Sequence, residues 1–192
     1  ISTKDIDHIY DAARQAGAAA VARLKRGDVV VGIAASGVTA FVGGALAQAS
    51  RLGCRTILVT SNGKPSGHSA EIVIAPDVGP EVIAGSTRMK SGTAAKLVLN
   101  TLTTGAMILL GKVYDNWMVD LKPTSRKLRL RGVRIICELG KVSPRRAEEL
   151  FKATKGSIPP AVLMARWPLT AAQARKRLAA AGSLRKALED HS

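Results

Sequence analysis

Residues Asp28–Gly37, "DVVVGIAASG", decide how this chain folds. Val29, Val30, Val31 and Ile33 form an apolar run too short for a helix, and it stops in the small residues Ala34, Ala35, Ser36 and Gly37. Such a run suits a parallel strand buried on both faces and followed by a tight glycine turn. Before it, "IDHIYDAARQAGAAAVARL" reads as a helix, with Ile6, Ile9, Ala13, Ala16, Ala20 and Leu24 at three-to-four spacing. After it, "VTAFVGGALAQASRLG" reads as a second helix closed by Gly53. "CRTILVTSN" follows as a second buried strand, "GKPSGHSA" as loop and "EIVIAPD" as a third strand. The alternation implies an α/β fold, with helices on both faces of a parallel sheet and right-handed crossovers.

The third strand leads into "GPEVIAGSTRMKSGTAAKLVLNTLTTG", Gly79–Gly105, a turn that becomes a long helix over Ser91–Leu110. At its mouth Glu81, Ser86, Thr87, Arg88 and Lys90 fall within ten residues. In one reading Ser86 or Thr87 caps the helix and the two cations face solvent. In the other the helix N-terminus holds an anion: its free N–H groups and positive dipole end favour negative charge, and hydroxyls and cations add charge-assisted hydrogen bonds. The turn after the first strand, "GIAASGVT", has the same two readings. Ser36 is either an ordinary N-cap, or Ser36, Gly37 and Thr39 cradle a phosphate at the carboxyl end of the sheet, where ligands of open α/β folds collect. Two polar turns after strands of one sheet can face one crevice.

A change of character follows Asp120. "LKPTSRKLRLRGVRIICELG" reads as one amphipathic helix entered through Pro123 and closed by Gly140. Three helical pieces come next, "SPRRAEELFKATKG", "PPAVLMARW" and "TAAQARKRLAAAGSLRKALED". Ser143 as N-cap with Pro144 at the first helical position is a clear start signal. The expected domains are 1–141, the α/β part, and 142–192, a small helical bundle.

At 192 residues with 46% hydrophobic content, the chain is long and apolar enough for one substantial core. Its formal charge of +15 raises nucleic-acid binding as a question. Aromatic residues make up only 3%, which leaves little material for base stacking, and no zinc-finger, basic-zipper or RNP signature is present. The basic clusters at Arg126–Arg134, Arg145–Arg146, Arg175–Arg177 and Arg185–Lys186 are therefore read as solvated helix faces. Cys54 and Cys137 match no metal-ligand or redox spacing and are expected to be reduced thiols. The apolar stretch Leu97–Leu110 is too short and too polar to span a bilayer. With no secretory leader pattern visible, the expected location is the cytoplasm.

"DVVVGIAASG", the Gly79–Asn100 block, "TTGAMILLGKVYDNWMVDLKPTSRKL" and the helical tail together resemble the N-acetylmuramic acid 6-phosphate etherases. These belong to the sugar isomerase (SIS) fold and are related to the glucokinase regulatory protein. The resemblance implies a three-layer α/β/α sheet and a homodimer. The implied function is cleavage of the lactyl ether to D-lactate and N-acetylglucosamine 6-phosphate, a step in amino-sugar and peptidoglycan recycling, with no metal or organic cofactor. In that chemistry a carboxylate removes the C2 proton, an acid protonates the departing lactate oxygen, and water adds to the unsaturated intermediate. The two carboxyl groups need separated proton affinities, and a phosphate anchor supplies binding energy away from the reacting carbons.

Carried over by residue, Ser36, Gly37 and Thr39 fit the phosphate turn, Ser86 and Thr87 the second phosphate- or sugar-contacting turn, and Arg88 and Lys90 the basic pair. Glu81 keeps a carboxylate that contacts the sugar or shares in proton transfer. Two departures stand out. After "GIAASG" the family pattern Arg-Thr-Pro-Tyr is replaced by "VTAF". The family's two earlier strands, another phosphate turn and the first catalytic glutamate have no counterpart before Asp28, so the chain is expected to lack that portion. The second catalytic glutamate should lie in the helix ahead of Asp28, where Asp11 falls near its place if two residues are deleted. The alternative function is a non-catalytic SIS module that binds or senses a sugar phosphate.

Overall fold

In the computed structural model, which describes residues 3–189, the chain divides into two compact units after Leu102. The first unit holds a parallel three-stranded sheet of β1 (Val29–Ile33), β2 (Arg55–Val59) and β3 (Ile72–Ile74), in the order β1-β2-β3. Val29 pairs with Arg55 and Ile57 with Ile72, so the carboxyl ends of β1 and β2 are level. Two helices accompany the sheet: α1 (Thr3–Ala20) precedes it, and α2 (Ala40–Arg51) joins β1 to β2. Leu46 of α2 and Leu58 of β2 are fully buried with Ala34, and Val30, Val42 and Ala70 close around them. Gly32 makes this contact possible, since a Cβ there would lie 2.6 Å from Val42 Cγ1.

The packing of α1 on α2 rests on two glycines. A Cβ on Gly17 would sit 1.9 Å from the Phe41 carbonyl oxygen, and one on Gly44 would sit 1.9 Å from that of Arg14. The helices thus meet backbone to backbone, a separation that any side chain at either position would forbid. The inner face of α1 is accordingly centred on Gly17. Ile6 and Ile9, expected on the apolar face, are exposed. The strand expected to be buried on both faces is covered on one only: Gly32 is buried against α2, whereas Val29 is 58% and Ile33 48% exposed on the opposite face.

α3 (Lys90–Leu109), within one residue of the expected helix, begins in the first unit and ends in the second. Ser91 is the residue of α3 that is buried. The second unit opens with an antiparallel hairpin, β4 (Val113–Tyr114) and β5 (Trp117–Met118), turned through Asp115 at φ 52 and Asn116. This hairpin was not foreseen, because "VYDNWM" is too short to show a period. The helices α4 (Arg126–Gly140), α5 (Pro144–Ala153), α6 (Ile158–Arg166), α7 (Ala171–Ala181) and α8 (Leu184–Glu189) follow. Their buried face includes Ile135, Ile136, Leu150, Ile158, Val162, Leu163 and Leu184. Ser125 and Ser143 cap α4 and α5 through their hydroxyls, and Thr170 and Gln173 form a capping box on α7. Gly182 at φ 75 ends α7 and splits the last expected helix into two. α4 packs on α5 and α6. Among the described residues no helix is long and apolar enough to cross a membrane.

The glycine contact gives a direct expectation. Gly17→Ala and Gly44→Ala should each destabilise the first unit by about 1–3 kcal/mol, because overpacking forces the helices apart. Gly105→Ala, where a Cβ meets nothing within 4 Å, should leave the melting temperature unchanged or raise it. Thermal denaturation of the three variants followed by circular dichroism checks this.

Candidate functional site

The carboxyl ends of β1 and β2 are stitched together beyond the strands themselves. Ala34 N–H donates to Val59 O at 3.0 Å, Ser61 N–H to Ala35 O at 3.0 Å, and the Thr60 hydroxyl to Ala35 O at 3.0 Å. Asn62 Nδ2 donates to Ser36 O at 2.9 Å, which fixes the turn after β1. Gly37 sits in that turn at φ 76, where a Cβ would meet Pro65 Cβ at 2.6 Å. The residue is glycine for both reasons, backbone conformation and space. Ser36 is exposed; its hydroxyl accepts from Val38 N–H at 3.4 Å. Thr39 is the N-cap residue of α2 but makes no side-chain cap bond.

Against these strand ends lies the start of α3. A cleft of about 180 Å³ is lined by Ile33, Ala35, Val59, Thr60, Ser61, Thr87, Ser91, Gly92 and Ala95. The Thr60 hydroxyl and the Ser61 N–H on its wall are committed to Ala35 O and the Ser91 N–H to Glu81, so the donors that suit an oxyanion are the hydroxyls of Thr87 and Ser61. Of the residues singled out in the sequence, Thr87 lines this cleft. Ser36, Gly37 and Thr39 follow immediately beyond Ala35 in the fixed turn. Ser86 is half-buried in the loop before α3, where its N–H donates to Ile83 O at 3.0 Å. Arg88 and Lys90 are exposed beside it. Asp11 is exposed on α1 and does not line the cleft.

Glu81 occupies the mouth of α3. Its Oε2 accepts from Lys90 N–H at 3.1 Å and its Oε1 from Ser91 N–H at 3.0 Å. One carboxylate thereby satisfies two of the donors that a helix leaves open at its start. The Ser91 N–H first, and then that of Lys90, hold the Glu81 carboxyl below the ordinary glutamate value. The sequence reading missed Thr60, Ser61 and Ser91. The first two had a signal: "VTSN" ends β2 in a hydroxyl pair as "AASG" ends β1 in a hydroxyl and a glycine. Ser91 had none, since it was read as an ordinary first helical residue. Two larger open hollows, of about 630 and 660 Å³, lie in the second unit and contain none of the predicted residues. Among the described residues no three His, Cys, Asp or Glu are grouped so as to hold a metal ion.

The capping bonds carry a definite pH dependence. A carboxyl whose folded value is depressed contributes stability above the ordinary glutamate range and loses it as pH falls through the depressed value. Amide exchange at Lys90 and Ser91, corrected for intrinsic rate, should therefore accelerate on acidification. Glu81→Gln should remove that pH dependence. Protection that persists unchanged into acid would show that the carboxylate does not hold these amides.

No protein-family profile matches the chain. Curated proteins do. Those named N-acetylmuramic acid 6-phosphate etherase from Salmonella paratyphi B, Salmonella schwarzengrund and Salmonella agona are each 50% identical to it over 168 residues, 86% of this chain and 57% of the relative. This chain is a homologue of the N-acetylmuramic acid 6-phosphate etherases, matched to them over 86% of its own length and spanning 57% of theirs.

Proposed function

We propose that this chain forms the sugar-phosphate-binding part of an etherase that cleaves the lactyl ether of N-acetylmuramic acid 6-phosphate to D-lactate and N-acetylglucosamine 6-phosphate. The observation that carries the proposal is the hydroxyl-lined cleft at the strand ends, in a chain half identical to proteins named for that substrate. At about 180 Å³ the cleft accepts a phosphate group rather than a whole sugar, for which pockets of roughly 300–1,000 Å³ are usual. The Thr87 hydroxyl, which lines the cleft, is assigned to the phosphate; Ser86 and Ser36 lie outside the lining, in the loop and turn that border it, and are assigned to phosphate oxygens that project from the cleft, with Arg88 and Lys90 supplying positive charge beside them. The sugar then extends out of the cleft, so that binding energy gathered at the phosphate is available to the reacting carbons.

The reaction breaks the bond from C3 to the lactate oxygen after a base takes the C2 proton. The departing oxygen receives a proton, and water then adds across the resulting double bond. Asp11 lies outside the cleft lining and is assigned no proton transfer here. We further propose a homodimer, because β1 presents Val29, Val31 and Ile33 to solvent and such a face invites cover. Sedimentation at micromolar concentration should give twice the chain mass; a folded monomer would overturn this part.

Calorimetry with N-acetylglucosamine 6-phosphate tests the phosphate assignment. Thr87→Ala and Ser86→Ala should each weaken binding roughly ten- to a hundred-fold, the effect of one hydroxyl lost from a charge-assisted bond. Unchanged affinity in both variants would remove the phosphate from this cleft. A D-lactate release assay on N-acetylmuramic acid 6-phosphate reads the reaction, and sugar-phosphate binding without lactate release from a full-length protein would replace the etherase with a sensor.

A further inference from the structure

We infer that Glu81 and Ser91 are positioning residues, a latch that holds the loop before α3 so that Thr87 faces the strand ends, and that Glu81 is not a proton carrier. The inference rests on the sugar-phosphate reading of the cleft. Its first ground is where the carboxylate's bonding capacity goes. Both Glu81 oxygens accept backbone N–H groups of the first turn of α3. A carboxylate so engaged is a weak base, because every donor favours the charged form over the protonated one.

The second ground is the loop itself. Residues 82–90 are exposed apart from half-buried Ser86, and their apolar side chains Val82, Ile83 and Met89 are 75%, 70% and 65% exposed. No hydrophobic anchor therefore fixes this excursion. The bonds from Lys90 and Ser91 back to Glu81, nine and ten residues earlier, close it into a ring. A loop without buried side chains samples many conformations, and closing it on a charged acceptor removes most of them.

The third ground is Ser91. It is 5% exposed, lines the cleft with Thr60 and Ser61, and bonds Glu81 through its N–H, so it joins the latch to the cleft wall. Thr87 sits inside the closed ring and lines the same cleft. If the latch opens, the first turn of α3 loses its acceptor and Thr87 loses its fixed place. The carboxylate therefore acts on the ligand through Thr87 and the helix start.

The experiment joins hydrogen exchange at Lys90 and Ser91 to calorimetry with N-acetylglucosamine 6-phosphate, on the unaltered chain, Glu81→Gln and Ser91→Ala. Glu81→Gln keeps the length and one acceptor, and should lose most of the protection while binding weakens about tenfold. Saturating sugar phosphate should restore protection in that variant, because a ligand that needs the ordered loop also orders it. Ser91→Ala keeps the N–H that bonds Glu81 and should retain the protection that Glu81→Gln loses, and thermal melting verifies that both variants keep their sheet. Weakened binding with full protection in Glu81→Gln would mean that Glu81 contacts the ligand directly, and would overturn the latch. Lost protection with unchanged affinity would also overturn it. Failure of the unaltered chain to bind the sugar phosphate would overturn the function proposed for the cleft, and this role with it.

Discussion

A helix begins with N–H groups that have no partner inside it, and the site in this protein is arranged around how α3 meets that requirement. Glu81 supplies the acceptor from nine and ten residues upstream, beyond the reach of an ordinary N-cap. The bond therefore does more than terminate a helix. It returns the chain to its own starting point and gives a fixed outline to a loop that buries almost nothing. The same donors and dipole that would attract a free anion are here partly occupied by an internal one. The cleft proposed for the phosphate is lined by Thr87, Ser91 and the strand ends.

The sheet gives that loop something to face. Small residues end β1, and Gly37 lets the chain turn against Pro65 and Thr60 where a Cβ would collide. Rigid elements with an adaptable polar loop across their ends are a common arrangement for binding sites in parallel α/β folds.

The positive charge has partly structural uses. Arg166 Nε donates to Leu139 O, Arg175 to Thr154 O and Arg177 to Ala187 O, each closing a carbonyl that helix ends leave open. Arg134 and Arg177 lie over the rings of Trp117 and Trp167. Arg145, Arg146 and Lys152 pair with Glu149 and Glu148 along α5. Much of what composition presents as a basic patch is thus helix carpentry in the second unit.

The sequence by itself determined the order of the helices and of the three parallel strands, the capped start of α5, and the two polar turns, because each is written in local periodicity or in a single capping residue; the cap of α4 at Ser125 and the β4–β5 hairpin came only with the structure. It also singled out Thr87 and Glu81. Tertiary structure alone decided that Thr87 lines the cleft and that Glu81 caps α3. Whether a carboxylate meets a sugar, moves a proton or binds its own helix depends on which N–H groups lie within hydrogen-bonding distance of it, and Lys90 and Ser91 reach Glu81 only after the chain has turned back. The same holds for Ile6 and Ile9, which share the helical spacing of a buried face yet stay exposed. The line of contact between α1 and α2 is set by the position at which two backbones can touch, and that position is Gly17.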